Sequence, residues 1–181
     1  MAIDTPDPCP VELAPFSSRW AEMAHDEAQR LKRALRDELV TVHHIGSTAI
    51  GGIMAKPIVD LMPIVRSIAR LDALEGAVRG LGYKWFGEFG LPGRRYCYRM
   101  DAGSGKRLFQ LHCYEEGAAE APRHLAFRDY LRAHPAIAKD YETEKIRAAM
   151  AEPDDVNAYN GRKNDWIKRV ERDAILWSAR R

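Results

Sequence analysis

The sequence has few of the features that mark secreted, membrane-bound or metal-stapled proteins. It contains three cysteines, Cys9, Cys97 and Cys113, an odd number with no CxxC spacing. This argues against a disulfide framework, and Cys97 and Cys113 are predicted to be reduced, packed thiols. Residues 1–13 lack a basic segment followed by an apolar one, so no signal peptide is predicted. No apolar run reaches the ~18 residues of a membrane span. We therefore expect a cytoplasmic protein without membrane partners.

A strong net charge is also missing. The 181 residues carry 28 Lys and Arg against 26 Asp and Glu, a formal net charge of +2. Nucleic acid is therefore an unlikely partner, because its binding surfaces are strongly basic. Hydrophobic residues make up 46% of the chain, enough for a sizeable core. We predict a proline-rich extended arm over residues 1–16 and a single domain over 17–181, which becomes helical from about residue 121.

Hydrophobic periodicity predicts the first half of the domain. A helix is expected after Ser17 or Ser18, either of which can cap it. Its apolar stripe comprises Trp20, Ala24, Ala28, Leu31, Leu35 and Leu39. Two strands follow, residues 40–45 and 57–65, and Pro63 indicates that the second lies at a sheet edge or ends there. A further helix carries Leu71, Leu74, Val78 and Leu81 and is closed by Gly82.

The second half begins with a predicted hairpin, in which YCYRM and LFQLHCYEE flank DAGSGK. Beyond Pro122 the spacing predicts three helices, the first ending before Pro135 and the last running from about Asp154 to the end. The order predicts an α+β protein with a small mixed sheet flanked by helices and a helical C-terminal part.

The stretch HHIGSTAIGGIMAKPIVDLM carries the chemistry. Gly46 and Ser47 form a turn after a strand, where backbone N–H groups and a hydroxyl can hold phosphate oxygens. Alternation places Ile58, Asp60, Met62 and Ile64 on one strand face, so Asp60 is the only acid there. A carboxylate at that position can hold a divalent metal against phosphates. The simpler interpretation is a common turn and an Asp bonded to nearby backbone.

Several motifs together resemble the GrpB family, whose fold is that of nucleotidyltransferases. They are HIGSTAIGGIMAKPIVDLM, LGYKWFGEFGLPGRRYCYR, LHCYE, AFRDYLRAHPAIAKDY and AYNGRKNDWI, and they cover nearly the whole chain after residue 15. The resemblance implies that Gly46 and Ser47 anchor a triphosphate and that Asp60 is the first metal-binding acid. Met62 stands where active enzymes of the fold have a second acid. A thioether is a poor ligand for Mg²⁺.

In active enzymes of this fold, the resemblance implies a third catalytic acid on a later strand. In the strand FQLHCYEE, alternation places Gln110, His112, Tyr114 and Glu116 on one face. His112 could act as a base or bind a softer metal, or be a half-buried structural residue. His44 could support the turn, or complete a metal triad with Asp60 and His112. The expected cofactor is a divalent metal, Mg²⁺ or Mn²⁺, with Zn²⁺ as an alternative.

Cations surround this stretch. Those predicted to bind nucleotide phosphates are Lys56, Arg95, Arg128 and Lys163; Arg94, Arg99 and Lys145 are further candidates. Tyr159 and Lys163 share one helix side, which the resemblance implies would suit base stacking beside a phosphate. Charged helix residues are, however, commonly a solvated face.

The resulting hypothesis is a small-molecule nucleotidyltransferase, or a related transferase that depends on a nucleoside triphosphate and a metal. Another phosphorylated small molecule is an alternative ligand. Two alternatives to catalysis remain open: a nucleotide or metabolite sensor without turnover, and an accessory partner domain, since GrpB-like domains occur fused to dephospho-coenzyme A kinase. An exposed patch at Ile167, Val170, Ile175, Leu176 and Trp177 would favour the partner domain; the same residues could be the core seam of the last helix.

Overall fold

A computed structural model describes residues 11–180. A five-stranded sheet is combined with six α-helices. The elements in chain order are α1 (Arg19–Leu35), β1 (Leu39–Ile45), β2 (Val59–Val65), α2 (Ile68–Ala73), α3 (Glu75–Gly80), β3 (Tyr83–Trp85), β4 (Arg95–Met100), β5 (Arg107–Glu115), α4 (Glu120–Ala133), α5 (Pro135–Ala151) and α6 (Val156–Ser178). Two short 3₁₀ turns, Arg36–Glu38 and Ser47–Ala49, flank β1.

The sheet is mixed, with the strand order β1-β2-β5-β4-β3. Strands β2 and β5 are parallel, and the other neighbouring pairs are antiparallel. The predicted α+β class is confirmed: a small mixed sheet is flanked by helices, and the last three helices form the C-terminal part. This is the architecture that the nucleotidyltransferase-like resemblance implied.

The predicted edge position of Pro63 is wrong, because β2 lies between β1 and β5. Pro63 faces Val42 of β1, whereas the register with β5 runs through residues 59–61 and resumes at Ile64. A proline can donate no hydrogen bond to a neighbouring strand. The gap in the parallel ladder is where that missing donor is accommodated.

Local structure differs from the prediction at three further places. The helix ending at Gly82 is two short helices, α2 and α3, which meet at Leu74. The short edge strand β3 was not predicted, since three residues give too little periodicity. Leu39 starts β1 instead of ending α1. The N-cap position of α1 is Ser18, whose side chain makes no capping hydrogen bond, whereas Ser17 Oγ accepts a hydrogen bond from the Arg19 N–H at 3.3 Å.

The two faces of the sheet have different cores. On the back face, α1 packs through Leu31 and Leu35 against β2, β4 and β5. On the front face, Met62, Ile64 and Tyr114 pack against the start of α4. A third core lies among α4, α5 and α6, and it includes Ile50 and Ile53 from the loop before β2. The C-terminal helices are thus built onto the loop that follows the Gly-Ser turn.

The remaining predictions concern the cysteines, the arm and the membrane. Cys97 and Cys113 are buried and free, as predicted, whereas Cys9 lies outside the described residues. So does most of the predicted arm; Val11 donates to the Pro153 carbonyl at 2.8 Å, and Ala14 pairs with Ala55. Over residues 11–180, no helix combines the length and apolar character needed to span a bilayer.

Candidate functional site

The front face of the sheet brings Asp60 against the Gly-Ser turn. Asp60 lies opposite Ile45, so the chain leaves β1 directly beside the carboxylate. Gly46 adopts φ +70° and ψ −171°, a conformation that is essentially restricted to glycine. A Cβ atom at Gly46 would overlap Asp60 Oδ2 and lie 3.1 Å from the Asp60 Cβ and Cγ atoms. Glycine is therefore required here both by the turn and by the close approach of the carboxylate.

His112 reaches the same carboxylate from the neighbouring strand. Asp60 pairs with Gln110 across the parallel ladder, and His112 Nε2 lies 3.4 Å from Asp60 Oδ1. This is long for a hydrogen bond, so Asp60 retains capacity for another partner. The side chains of His112 and Asp60 are 17% and 26% exposed, which leaves both accessible to a ligand.

The Gly-Ser turn is tied to α5 through Tyr141, a residue that sequence reasoning did not select. Ser47 Oγ donates to Tyr141 Oη at 3.2 Å, and the Tyr141 ring stacks on Trp166 of α6 at 5.1 Å. Burial raises the pKa of Tyr141 to about 12, with the Ser47 hydrogen bond lowering it and the Asp60 charge raising it. The only available signal was its place at the end of the motif AFRDYLRAHPAIAKDY.

Two of the predicted phosphate-binding lysines lie against one buried ring. The ammonium groups of Lys56 and Lys163 lie 5.0 Å and 4.4 Å from the ring centroid of Tyr159. Burial lowers the pKa of Lys163 to about 8, and the negative charge of Asp60 opposes that shift. Tyr159 is 1% exposed, so its ring presents no open face on which a nucleotide base could stack.

Two buried residues of α5, Glu142 and Lys145, form hydrogen bonds with the backbone of the loop that leads to Lys56. Glu142 accepts the Met54 N–H at 2.6 Å, and Lys145 Nζ donates to the Met54 carbonyl. Lys145 is 1% exposed, and burial, together with the charge of Lys163, lowers its pKa to about 7. Both bonds hold the backbone of one loop residue, so the position of Lys56 depends on α5.

Four other predicted or candidate residues have partners elsewhere. Arg95 and Arg99 point to the back face, where Arg95 pairs with Asp72 at 2.6 Å and Arg99 with Glu27 at 2.7 Å. Arg128 pairs with Asp129 at 2.8 Å and donates to the His44 carbonyl. His44 Nε2 bonds Thr48 Oγ1 at 2.9 Å, which supports the turn. Alternation on β4 explains the first two, because Arg95, Cys97 and Arg99 share one face.

The donors at Asp60 fit one metal ion rather than two. Within residues 11–180, no three His, Cys, Asp or Glu side chains converge so as to hold a metal, so the triad of His44, Asp60 and His112 is not assembled. Met62 is 0% exposed and packs in the front core, so the position of the second acid contributes no ligand. One carboxylate and one imidazole suit an ion whose other ligands come from a bound molecule.

Two half-buried histidines predict acid sensitivity. Burial lowers the pKa of His44 to about 4 and of His124 to about 3, below the value of about 6.5 expected in the unfolded chain. The unfolded state therefore binds more protons below pH 6.5, so stability is full above that pH and falls as the pH decreases. We expect each histidine to reduce the free energy of unfolding by about 1–2 kcal/mol between pH 7 and pH 5.

Urea unfolding at the two pH values tests this expectation. The substitution His124→Phe should flatten the pH dependence, because the variant lacks the titrating group. The matched control is His25→Gln, at an exposed position of α1, which should leave the dependence unchanged. Equal pH dependence in all three proteins would contradict the assignment.

Comparison with known proteins places the chain in a family. The model of the GrpB protein family matches residues 10–173. The chain belongs to the GrpB family. The crystal structure of the conserved protein GrpB from Enterococcus faecalis superposes with a TM-score of 0.86 at 40% identity, covering 92% of this chain and 99% of that one. The family membership predicted from the motifs is thus confirmed.

Two longer relatives are similar to this chain over about half of their own length. UPF0157 protein YqkA of Bacillus subtilis (strain 168) is 42% identical over 167 residues, covering 92% of this chain and 48% of that protein. A dephospho-CoA kinase of Mycolicibacterium paratuberculosis is 27% identical over 194 residues, covering 93% of this chain and 47% of the kinase. The chain therefore spans about half the length of each of these relatives.

Proposed function

We propose that this GrpB-family chain binds a nucleoside triphosphate and a single divalent metal at Asp60 and transfers the nucleotidyl group to a small molecule. The observation that carries the proposal is the convergence of three segments on one carboxylate. The turn at Gly46 and Ser47, the strand β2 and the strand β5 meet at Asp60, with His112 3.4 Å away. Such a half-buried acid beside a phosphate-holding turn is the arrangement that metal-assisted phosphoryl chemistry uses.

Each residue then has a defined role. The turn and Ser47 Oγ hold phosphate oxygens, and Lys163, whose ammonium is within the field of Asp60, neutralises them. Lys56 assists from the loop. Asp60 and His112 would hold the metal, Mg²⁺ or Mn²⁺ with Zn²⁺ as the alternative, which when bound supplies charge neutralisation at the phosphates. The acceptor hydroxyl or amine attacks the α-phosphate, and pyrophosphate leaves. His112 accepts the acceptor's proton in the version of the site where Asp60 alone binds the metal, because a ring nitrogen bound to a metal cannot also take a proton.

A second function, binding without turnover, is favoured by Met62. Its complete burial in the front core means that the site has one acid where a two-metal mechanism needs two. A sensor of a nucleotide or of another phosphorylated metabolite would keep the Gly-Ser turn and Lys163 and would not need the second acid. Single-turnover assays separate the two functions, because a sensor forms no product from bound nucleotide.

A third function, an accessory partner domain, is favoured by the similarity to half of a dephospho-CoA kinase. The apolar patch predicted for it is only partly exposed. Val170 and Ile167 belong to the core among the C-terminal helices, and Trp177 packs edge-on to Tyr130. Only Ile175 and Leu176 of that patch are exposed, at 44% and 59%, which is a small surface for a stable interface.

Thermal unfolding tests the nucleotide site. Wild type, Asp60→Ala and the control Asp173→Ala, at an exposed position of α6, are measured with ATP, GTP, CTP or UTP, each with and without Mg²⁺ or Mn²⁺. A ligand at 100 times its dissociation constant adds about 2.7 kcal/mol to the free energy of unfolding, a shift of roughly 5–10 °C for a chain of this size.

We expect a metal-dependent shift in wild type and in Asp173→Ala that is lost in Asp60→Ala. No shift with any nucleotide in wild type would contradict nucleotide binding. A metal-dependent shift that persists in Asp60→Ala would show that the metal does not bind at this carboxylate.

A further inference from the structure

A group of buried polar atoms lies near His112, and two of its members have no hydrogen-bond partner among the described residues. Its members are Arg94 in the loop just before β4, Tyr114 on β5 and His124 on α4. None of the roles described above uses them. The group was not predicted from the sequence, where Arg94 was only one of several hairpin cations.

Arg94 is 8% exposed and carries its charge without a matching acid. Its Nη2 donates to the Phe89 carbonyl at 2.7 Å, and Nε and Nη2 approach the Glu88 carbonyl at 3.4 Å. Among residues 11–180, no carboxylate forms an ion pair with Arg94, and its hydrogen bonds use Nε and Nη2 but not Nη1. A buried guanidinium held only by carbonyl groups has a net positive charge to offer a ligand.

Tyr114 Oη and His124 Nε2 are both buried, and within the described part of the chain neither has a hydrogen-bond partner. Their rings lie 6.0 Å apart. Burial raises the pKa of Tyr114, and the charge of Arg94 opposes that shift, so the two groups are electrostatic neighbours. Buried polar groups nearly always have a partner in native proteins, so two orphans beside one cation mark a place for an acceptor.

This group adjoins the proposed reaction centre. Two rings lie close to the His112 ring: that of His124 at 6.2 Å and that of Tyr96, on the neighbouring strand β4, at 5.5 Å. The Arg94 guanidinium stacks over Tyr96, 5.3 Å from the ring centroid. His112 thus lies next to Asp60 and is also a ring neighbour of His124.

We propose that Arg94, Tyr114 and His124 form an oxyanion-binding subsite that holds the carboxylate or phosphate group of the second substrate beside His112. The Arg94 guanidinium, the Tyr114 hydroxyl and the Nε2–H tautomer of His124 would supply three donors and one fixed positive charge, which match the oxygens and the single negative charge of such a group. The assignment to a second substrate rests on the proposed transferase function, whereas anion binding itself does not. The acceptor would then be a small molecule that carries both an acidic group and a hydroxyl or amine.

The test uses the whole chain without nucleotide or metal. Inorganic phosphate and acetate are titrated separately while the histidine ring signals are followed by NMR, with His124 assigned from the His124→Gln spectrum. We expect a saturable shift of the His124 signal with phosphate, with acetate or with both, and the pattern identifies the acidic group that the subsite accepts. Unchanged His124 signals with both anions would overturn the proposal.

Three variants keep the result specific. Arg94→Met should weaken anion binding more than tenfold, and the exposed control Arg172→Met should leave it unchanged. Tyr114→Phe should weaken it by about five- to tenfold, the value of one hydrogen bond, without loss of thermal stability, because the removed hydroxyl has no partner among the described residues. Unaltered binding in Tyr114→Phe and Arg94→Met would exclude these side chains; if Arg94→Met does not fold, Tyr114→Phe decides alone.

Asp60→Asn separates this proposal from the nucleotide site. The variant should keep the phosphate or acetate response and lose the nucleotide response. If the wild-type protein binds no nucleotide but its His124 signal still responds to phosphate or acetate, the transferase function is rejected and the anion subsite stands. The reverse result would reject only the subsite.

Discussion

Gly46→Ala is expected to lose at least about 3 kcal/mol of folding free energy and all metal-dependent nucleotide binding. An alanine at φ +70° and ψ −171° occupies backbone space that is essentially restricted to glycine, which costs of order 1–3 kcal/mol. The new Cβ would also overlap Asp60 Oδ2, so the carboxylate must turn away or the turn must shift. Either adjustment moves the proposed metal ligand relative to Ser47.

Two glycines in the same loop serve as controls. Gly51→Ala should change the free energy of unfolding by less than about 0.5 kcal/mol, because no atom lies within 4 Å of the added Cβ. Gly52→Ala keeps the positive φ, +77°, without any overlap, so it isolates the conformational cost at about 1 kcal/mol. Urea unfolding of the three variants is the measurement. Equal stability of Gly46→Ala and Gly52→Ala would show that the approach to Asp60 is unimportant.

Glu27→Ala is expected to destabilise the protein by about 3–5 kcal/mol, a decrease in melting temperature of roughly 10 °C. Glu27 is 2% exposed on α1 and accepts from Tyr83 Oη at 2.9 Å, Arg30 Nη1 at 2.9 Å and Arg99 Nη2 at 2.7 Å. Its removal leaves Tyr83 and Arg99 without their acceptor on the back face of the sheet. Breaking a buried ion pair on one side is costly for this reason.

The matched control is Glu22→Ala, at an exposed position of the same helix, which should lie within about 0.5 kcal/mol of wild type. Glu27→Gln should fall between the two, since the amide keeps one acceptor and loses the charge. Calorimetry or urea unfolding measures all three. A Glu27→Ala protein as stable as Glu22→Ala would mean that Arg99 and Tyr83 find other partners. Nucleotide binding should survive in Glu27→Gln, because Glu27 lies on the opposite face from Asp60.

The sequence predicted those parts of the site that depend on alternation within one strand. Asp60 and His112 each lie on the front face because their strands alternate regularly, and the family motifs located Gly46 and Ser47. Arg95 was predicted to lie among the phosphate-binding cations, and the structure turns it to the back face, where it pairs with Asp72. The face that it takes depends on where β4 begins, which could not be read from a glycine-rich loop.

Contacts between distant segments were beyond sequence reasoning. Glu27 reads as part of the polar face of α1, and its burial depends on Tyr83 and Arg99, which are more than 50 residues away. Likewise, the orphan donors of Tyr114 and His124 appear only once α4 packs on β5. Pro63 was assigned to an edge because a proline cannot donate a hydrogen bond to a neighbouring strand. Here the hydrogen-bond ladder between β2 and β5 is interrupted at Pro63, so an interior strand accommodates it.

The parallel pairing of β2 with β5 and the docking of α6 set the order in which this site can appear during protein synthesis. Asp60 and the Gly-Ser turn leave the ribosome together, but His112 follows 52 residues later and Lys163 follows 103 residues later. At the usual rate of roughly 5–20 residues per second, the carboxylate exists for about 5–20 s before its last cationic neighbour is made. Any ligand that needs the complete site can bind only after translation has passed α6, so binding cannot assist the folding of the earlier strands while the chain is still being synthesised.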